Sequence, residues 1–163
     1  MTTRSAHPLA NGAGLLLGLL MLGGCEASPH SAPDSRAVAA VPSMTTEESR
    51  MWMTVGERRF AITLADNAAA RAFAALLPLT LDMTELNGNE KYATLPKALP
   101  ENSSRPGTIR NGDLRLYGMD TLVVFYLTFD SSYAYTRLGR VDDPAGLAQA
   151  LGKRDVRIVF STP

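Results

Sequence analysis

The sequence has few of the side chains that most often carry catalysis. It contains one cysteine and two histidines, and His7, Cys25 and His30 all precede the segment in which periodic apolar patterns begin. The folded domain therefore lacks the usual general base near neutral pH, and Ser-His-Asp catalysis is excluded within it. A thiol nucleophile, a cysteine metal site and a disulfide are excluded for the same reason. We expect no cofactor, no metal, and a domain stabilised by its hydrophobic core.

The sequence also lacks an excess of charge of either sign. Its 16 basic and 16 acidic residues leave no net field, so a nucleic-acid partner is not expected. The carboxylates of Asp82, Glu85 and Glu90 form one group and those of Asp142 and Asp143 another. Their spacing does not require a paired-carboxylate hydrolase, and the patterned calcium-binding loop is missing. We interpret the first group as solvated strand ends and the second as helix caps.

The N-terminus has the pattern of an export signal. Arg4 is the only charge before an apolar run at 15–22, which is shorter than the roughly 20 residues that span a bilayer. The run ends in Leu-Gly-Gly-Cys, which resembles the bacterial lipobox. The resemblance implies that residues 1–24 are a cleaved lipoprotein signal peptide and that acylated Cys25 attaches the protein to a membrane. Glu26 after the cysteine favours the periplasmic face of the outer membrane in the bacterial cell envelope. The alternative is a soluble exported protein with an incidental cysteine.

Residues 25–48 are rich in Ser, Ala, Pro and Thr without apolar periodicity, which predicts a flexible linker before a domain at 49–163. Alternating apolar residues at 51–55 and 60–64, joined by Gly56-Glu57, predict a β-hairpin. Asp66 or Asn67 begins a predicted helix that Pro78 ends, and residues 79–83 return to a strand.

The second half of the domain begins with an irregular segment. Residues 85–108 contain Asn-Gly and three prolines, which predicts a long loop, either disordered or functional. Strands are predicted at 114–117, 122–129, 133–140 and 156–160, and the run Leu122–Leu127 is predicted to be core. A helix is predicted from Asp142 to Gly152. The order predicts a mainly β fold, a closed or nearly closed antiparallel barrel with two short helices over its ends.

Three segments, GDLRLYGMDTLVVFY, YTRLGRVDDPAGLAQAL and ELNGNEKY, together resemble the bacterial cyclophilin-like domain family over roughly 51–160. The resemblance implies an eight-stranded barrel capped by two helices and implies little about activity. True cyclophilins carry a Phe-His-Arg stretch and a Gln-Gly-Gly-Asp stretch, and neither occurs here. A shared fold does not by itself transfer isomerase activity.

Tyrosines and neighbouring polar residues are the best binding candidates, because a tyrosine joins an apolar face to a polar tip. Arg137 shares a predicted strand face with two of them, where a guanidinium could stack on a ring or hold a carboxylate. Three functions remain open: a non-catalytic module that binds a peptide or small ligand, a peptidyl-prolyl isomerase or other enzyme of unrecognised mechanism, and a structural module of the envelope. The candidate site residues are Arg137, Tyr117, Tyr126, Tyr133, Tyr135, Asn87, Glu90 and Tyr92.

Overall fold

The computed structural model describes residues 45–163. The predicted signal peptide, Cys25 and most of the predicted linker lie outside these residues. Among the described residues, no helix has both the length and the apolar character needed to cross a membrane. The elements are β1 (Arg50–Val55), β2 (Arg58–Leu64), α1 (Ala68–Ala74), β3 (Leu79–Leu86), β4 (Glu90–Thr94), β5 (Gly107–Ile109), β6 (Asp113–Tyr117), β7 (Thr121–Phe125), β8 (Phe129–Ser131), β9 (Thr136–Val141), α2 (Leu147–Leu151) and β10 (Val156–Ser161).

Eight of these strands close an antiparallel barrel in the order β1-β10-β3-β4-β7-β6-β9-β2. The predicted mainly β barrel with two short helices is therefore confirmed. The first hairpin forms where the alternation predicted it, with Gly56 at a φ of 56° in the turn. Met51, Met53 and Val55 point into the barrel core. Alternation along each strand thus separates a buried inner face from an outer face.

The two helices contribute side chains to the same core. Phe73 of α1 is fully buried and meets Phe160 of β10 edge to face, with ring centroids 5.7 Å apart. Asn67 caps α1, because its Oδ1 accepts a hydrogen bond from the backbone N–H of Ala70 at 2.8 Å. Helix α2 ends at Gly152 as predicted.

The predicted start of α2 is wrong. The helix begins at Leu147 behind a left-handed Gly146 and has no side-chain cap. The carboxylate of Asp142 instead accepts a hydrogen bond from Thr63 Oγ1 at 2.6 Å, and Asp143 accepts from the N–H of Ala145 at 2.9 Å. These carboxylates therefore fix the chain between β9 and α2 and do not cap the helix.

Strand β7 is buried on both faces, as its apolar run predicted. Leu122 and Val124 face the barrel core. Val123 and Phe125 face outward into a second, smaller cluster. The prediction fails at Leu127, which is 46% exposed because the strand ends at Phe125.

A short two-stranded sheet covers that outer face. Strands β5 and β8 pair with each other outside the barrel. Ile109 of β5 and Phe129 of β8 complete the second cluster with Val123, Phe125 and Tyr135. This sheet forms one side of the candidate site.

The prediction of a continuous loop at 85–108 is wrong at both ends. Strand β3 continues to Leu86 at one end, and β5 begins at Gly107 at the other. After a tight turn that follows β3, β4 joins the barrel between β3 and β7. The pattern of β4 was obscured because Lys91 faces inward while Tyr92 faces outward, opposite to the usual preference. The predicted strand at 133–140 begins later, at Thr136.

Candidate functional site

The candidate site is a cleft on the outer wall of the barrel, beside the β5–β8 sheet. Its volume is about 510 Å³, within the range of small-molecule sites. Strands β4 and β7 supply its floor, while the β3–β4 turn and the chain from β8 to β9 supply its sides. The lining residues are Leu86, Asn87, Asn89, Glu90, Tyr92, Tyr117, Thr121, Val123, Phe129, Asp130, Ser131, Ser132, Tyr133 and Tyr135.

Tyrosine rings line the cleft from its rim to its floor. Tyr135 is buried, with 6% of its surface exposed, whereas Tyr133 is 63% exposed. The ring centroid of Tyr117 lies 5.8 Å from that of Tyr135 and 6.4 Å from that of Tyr133. Tyr135 also packs edge to face on Phe125 at 5.5 Å. These separations are typical of interacting aromatic pairs, so the rings support one another without a ligand.

The position of Tyr135 is fixed by the irregular segment that precedes β5. Its backbone exchanges two hydrogen bonds of 3.0 Å with Ser104. This isolated pair holds the chain just before β9 against the 95–106 segment, so the ring of Tyr135 enters the second cluster.

Glu90 places a carboxylate on the cleft floor with little access to water. It is 9% exposed and lies opposite Phe125 across the β4–β7 pair. Within residues 45–163 its side chain has no hydrogen bond or ion pair. Burial raises the pKa of Glu90, and the negative charge of Glu85 raises it further. Its carboxylate oxygens keep some access to the cleft, so their donors must come from solvent or from a ligand.

Asn89 provides a second unpartnered acceptor beside Glu90. Its Oδ1 is buried and accepts no hydrogen bond, a state shared in the described chain only by Asn111 Oδ1. The backbone carbonyl of Asn89, in contrast, accepts from the N–H of Tyr126 at 3.0 Å. Asn89 lines the cleft, but its unpartnered Oδ1 is sealed from solvent.

The net charge of the cleft lining is negative. Its ionisable carboxylates are Glu90 and Asp130, and the residues that line it include no lysine, arginine or histidine. Asp130 accepts a hydrogen bond from Thr108 Oγ1 at 2.9 Å across the β5–β8 pair. No group of three potential metal ligands is found among the residues described.

A separate buried cluster lies inside the barrel, at Lys91. Lys91 is fully buried, and its Nζ donates to Glu85 and to the carbonyl oxygens of Gly152 at 2.9 Å and Arg154 at 2.7 Å. The hydroxyl of Tyr126 donates to Glu85 at 2.8 Å. All three ammonium donors are used, so this cluster has the character of a structural tie.

The ionisation of this cluster follows from its contacts. Burial tends to raise the pKa of Glu85, but the hydrogen bonds from Lys91 and Tyr126 outweigh it and the pKa is lowered. Burial and the Glu85 carboxylate raise the pKa of Tyr126. The interpretation of Asp82, Glu85 and Glu90 as one set of solvated strand ends is wrong, because only Asp82, bonded to Arg157, is exposed.

The structure brings most of the predicted site residues together. Asn87, Glu90, Tyr92, Tyr117, Tyr133 and Tyr135 line the cleft. Tyr126 and Arg137 do not line the cleft. Tyr126 faces the barrel core. Whether the cleft binds a ligand stays a prediction.

Arg137 has a different position from the one expected. Its side chain is exposed on the outer face of β9, opposite Arg115. Its carbonyl oxygen accepts from Asn67 Nδ2 at 2.8 Å, which ties the cap of α1 to β9. The residue therefore contributes to the fold through its backbone.

Sequence reasoning missed Asn89, Phe129 and Asp130. Asn89 belongs to the Asn-Gly-Asn turn, and its place directly before the tyrosine-containing β4 was the available signal. Phe129 and Asp130 lie in a strand of three residues, too short for a pattern. Their contribution becomes visible only when β5 and β8 pair.

The fold and the cleft together define a closed eight-stranded antiparallel barrel with a ligand-sized cleft on its outer wall. Residues 53–161 match the Cyclophilin-like family, and the chain belongs to that family. The solution structure of a hypothetical protein from Archaeoglobus fulgidus is similar to this chain, with a TM-score of 0.54 and 14% identity over 72% of this chain and 96% of that one. At this identity the likeness shows the fold alone. No curated protein sequence matches significantly.

Proposed function

We propose that this cyclophilin-like domain is a non-catalytic binding module that holds a peptide or small ligand in its outer cleft. The observation that carries the proposal is the nearly buried Glu90, whose carboxylate has no partner within residues 45–163, in a cleft walled by tyrosines. Such a cleft, mostly apolar with a few convergent polar groups, is typical of ligand sites. A purely structural module would be expected to pack these tyrosines inward and leave no concave surface.

Ligand-observed NMR and calorimetry test this function on the full chain. We expect small aromatic probes to bind wild-type protein and to bind Tyr133→Ala at least about threefold more weakly, since one wall of the cleft is lost. Arg137→Ala is the matched control, because Arg137 is exposed on the outer face of β9 but does not line the cleft. Equal loss in both variants, or no binding of any probe, would contradict the proposal.

The second candidate is an isomerase or other enzyme. The observation that favours it is the raised pKa of Glu90 in a cleft, a property common among catalytic acids and bases. A proline-isomerisation assay on a short peptide tests it. We expect no acceleration, and turnover that Glu90→Gln abolishes would favour catalysis over simple binding.

We further propose that acylated Cys25 attaches the domain to the periplasmic face of the outer membrane. The proposal is supported by the basic start, the apolar run at 15–22 and the small residues before Cys25. Metabolic labelling with a fatty-acid analogue is expected to mark wild-type protein and not Cys25→Ser. Wild-type protein that stays unlabelled would contradict the attachment. Fractionation of the inner and outer membranes would test to which of them the protein is attached.

A further inference from the structure

Within the proposed binding function, we propose that the cleft selects an organic cation with N–H donors, a protonated amine or a guanidinium carried on an apolar body. Free amines and the basic side chains of peptides share this chemistry. Three features of the cleft favour such a cation: the Glu90 carboxylate at its floor, the tyrosine rings around it and a lining without lysine, arginine or histidine.

The oxygen acceptors near the cleft floor lack hydrogen-bond donors. Glu90 has two carboxylate oxygens and Asn89 one amide oxygen without donors in residues 45–163. The unpartnered oxygens sealed from solvent are only those of Asn89 and Asn111, so the Glu90 oxygens remain accessible from the cleft. A ligand that brings N–H donors can therefore bind the Glu90 carboxylate, and hydrogen bonds to a charged group are the stronger kind.

The rings add a preference for positive charge over a neutral donor. Tyr92, Tyr117, Tyr133 and Tyr135 line the same cleft. The negative face of a tyrosine ring attracts a cation held within about 6 Å of its centroid. Val123 and Phe129 provide the apolar surface for the body that carries the charge.

The surrounding charges exclude an anion. Lys91 directly follows Glu90, but its side chain faces the barrel core and its three donors are used by Glu85 and two carbonyl oxygens. Asp130 adds a second carboxylate to the cleft. An anionic ligand would therefore meet uncompensated negative charge and would be rejected.

Four probes that share a phenethyl body test the selectivity on the full chain by calorimetry: phenethylammonium, 2-phenylethanol, 3-phenylpropionate and N,N,N-trimethylphenethylammonium. We expect phenethylammonium to bind at least about tenfold more tightly than the alcohol, and the carboxylate not to bind. The trimethyl probe keeps the charge but lacks N–H donors, so we expect intermediate affinity. Tightest binding by the alcohol, the carboxylate or the trimethyl probe would overturn the inference and leave the binding function standing. Binding by none of them would contradict the binding function itself.

Two variants test whether the preference for phenethylammonium over the alcohol depends on Glu90. Glu90→Gln keeps the shape of the side chain and removes its charge, and we expect it to lose the preference for phenethylammonium over the alcohol. Arg137→Ala should leave that preference unchanged. Retention of the preference in Glu90→Gln, with thermal unfolding showing a folded protein, would overturn the assignment.

A peptide pair identifies the source of the cation. Acetyl-Gly-Lys-Gly-amide and its norleucine counterpart differ in the ammonium group alone. Tighter binding of the lysine peptide than of phenethylammonium supports a peptide ligand, and the reverse order supports a free amine. A norleucine peptide that binds as tightly as the lysine peptide would overturn the inference.

Discussion

At the scale of single residues, we expect the burial of Glu90 in the cleft to lower the free energy of unfolding at neutral pH. In the unfolded chain its carboxyl titrates near the ordinary value of 4.5, and in the folded protein burial and the neighbouring Glu85 raise its pKa. Between the two values the folded state binds more protons than the unfolded state, so stability falls as pH rises through this window. Burial raises the pKa values of Tyr126 and Tyr135, and the charge of Glu90 raises them further, so both stay neutral.

We therefore expect Glu90→Gln to increase the free energy of unfolding at neutral pH. The increase should disappear below the ordinary pKa of the carboxyl, where wild-type Glu90 is protonated in both states. Urea unfolding of both proteins at acidic and neutral pH measures it. A difference independent of pH, or a less stable variant at neutral pH, would contradict this expectation.

Lys91 is the opposite case, a buried charge whose partners are all present. Lys91→Met leaves Glu85 without its cation and two carbonyl oxygens without a donor, so we expect a loss of about 3 kcal/mol in the free energy of unfolding. Denaturant unfolding measures the loss. The Arg157→Gln control breaks the exposed pair with Asp82 and should cost much less.

Replacing Lys91, Glu85 and Tyr126 together separates the net contribution of the cluster to stability from the cost of removing only one of its members. Adding Glu85→Leu and Tyr126→Phe to Lys91→Met removes the carboxylate and the hydroxyl that would otherwise be left unpaired, while the carbonyl oxygens of Gly152 and Arg154 stay without this donor. We expect the triple variant to recover part of the lost stability. A triple variant no more stable than Lys91→Met would contradict this expectation, and its difference from wild type measures the net contribution of the cluster.

At the scale of elements, α1 depends on Asn67 for both its start and its attachment. The amide oxygen caps the helix, and Nδ2 bonds the carbonyl oxygen of Arg137 on β9. We expect Asn67→Ala to cost about 1–2 kcal/mol. Asn67→Asp keeps the capping oxygen and loses only the donor, so it should cost less. Denaturant unfolding of the two variants provides the comparison, and equal costs would place the whole effect in the bond to β9.

The elements that were located correctly from the sequence have regular alternation of apolar and polar residues, or a glycine that marks a turn or a helix end. Strands β1, β2 and β10 place apolar residues on one face, and Gly56 and Gly152 mark a turn and a helix end. Strand β4 was missed because its inward residue is Lys91, whose burial depends on Glu85 and on carbonyl oxygens distant in sequence. Tertiary hydrogen bonding of this kind leaves no local pattern.

At the scale of the whole molecule, the barrel could be predicted, and the candidate site only in part. The tyrosines are candidates because each joins an apolar ring to a polar tip, and alternation places Tyr133, Tyr135 and Arg137 on one strand face, which is the outer one. The sequence did not indicate which part of that outer face is covered, because β5 and β8 have three residues each. Arg137 was therefore expected in the site although it lies on the uncovered part of the same face.

The position of β10 in the barrel also governs how quickly the domain can form. This strand lies between β1 and β3, and it pairs Met53 with Phe160, residues from opposite ends of the described chain. Contacts between such distant residues make folding slow, because the search for them precedes any stabilising gain. Until β10 has been synthesised and has docked, β1 and β3 each present an open edge to which another chain can pair. During the interval between synthesis of β9 and docking of β10 these two edges are thus exposed to aggregation.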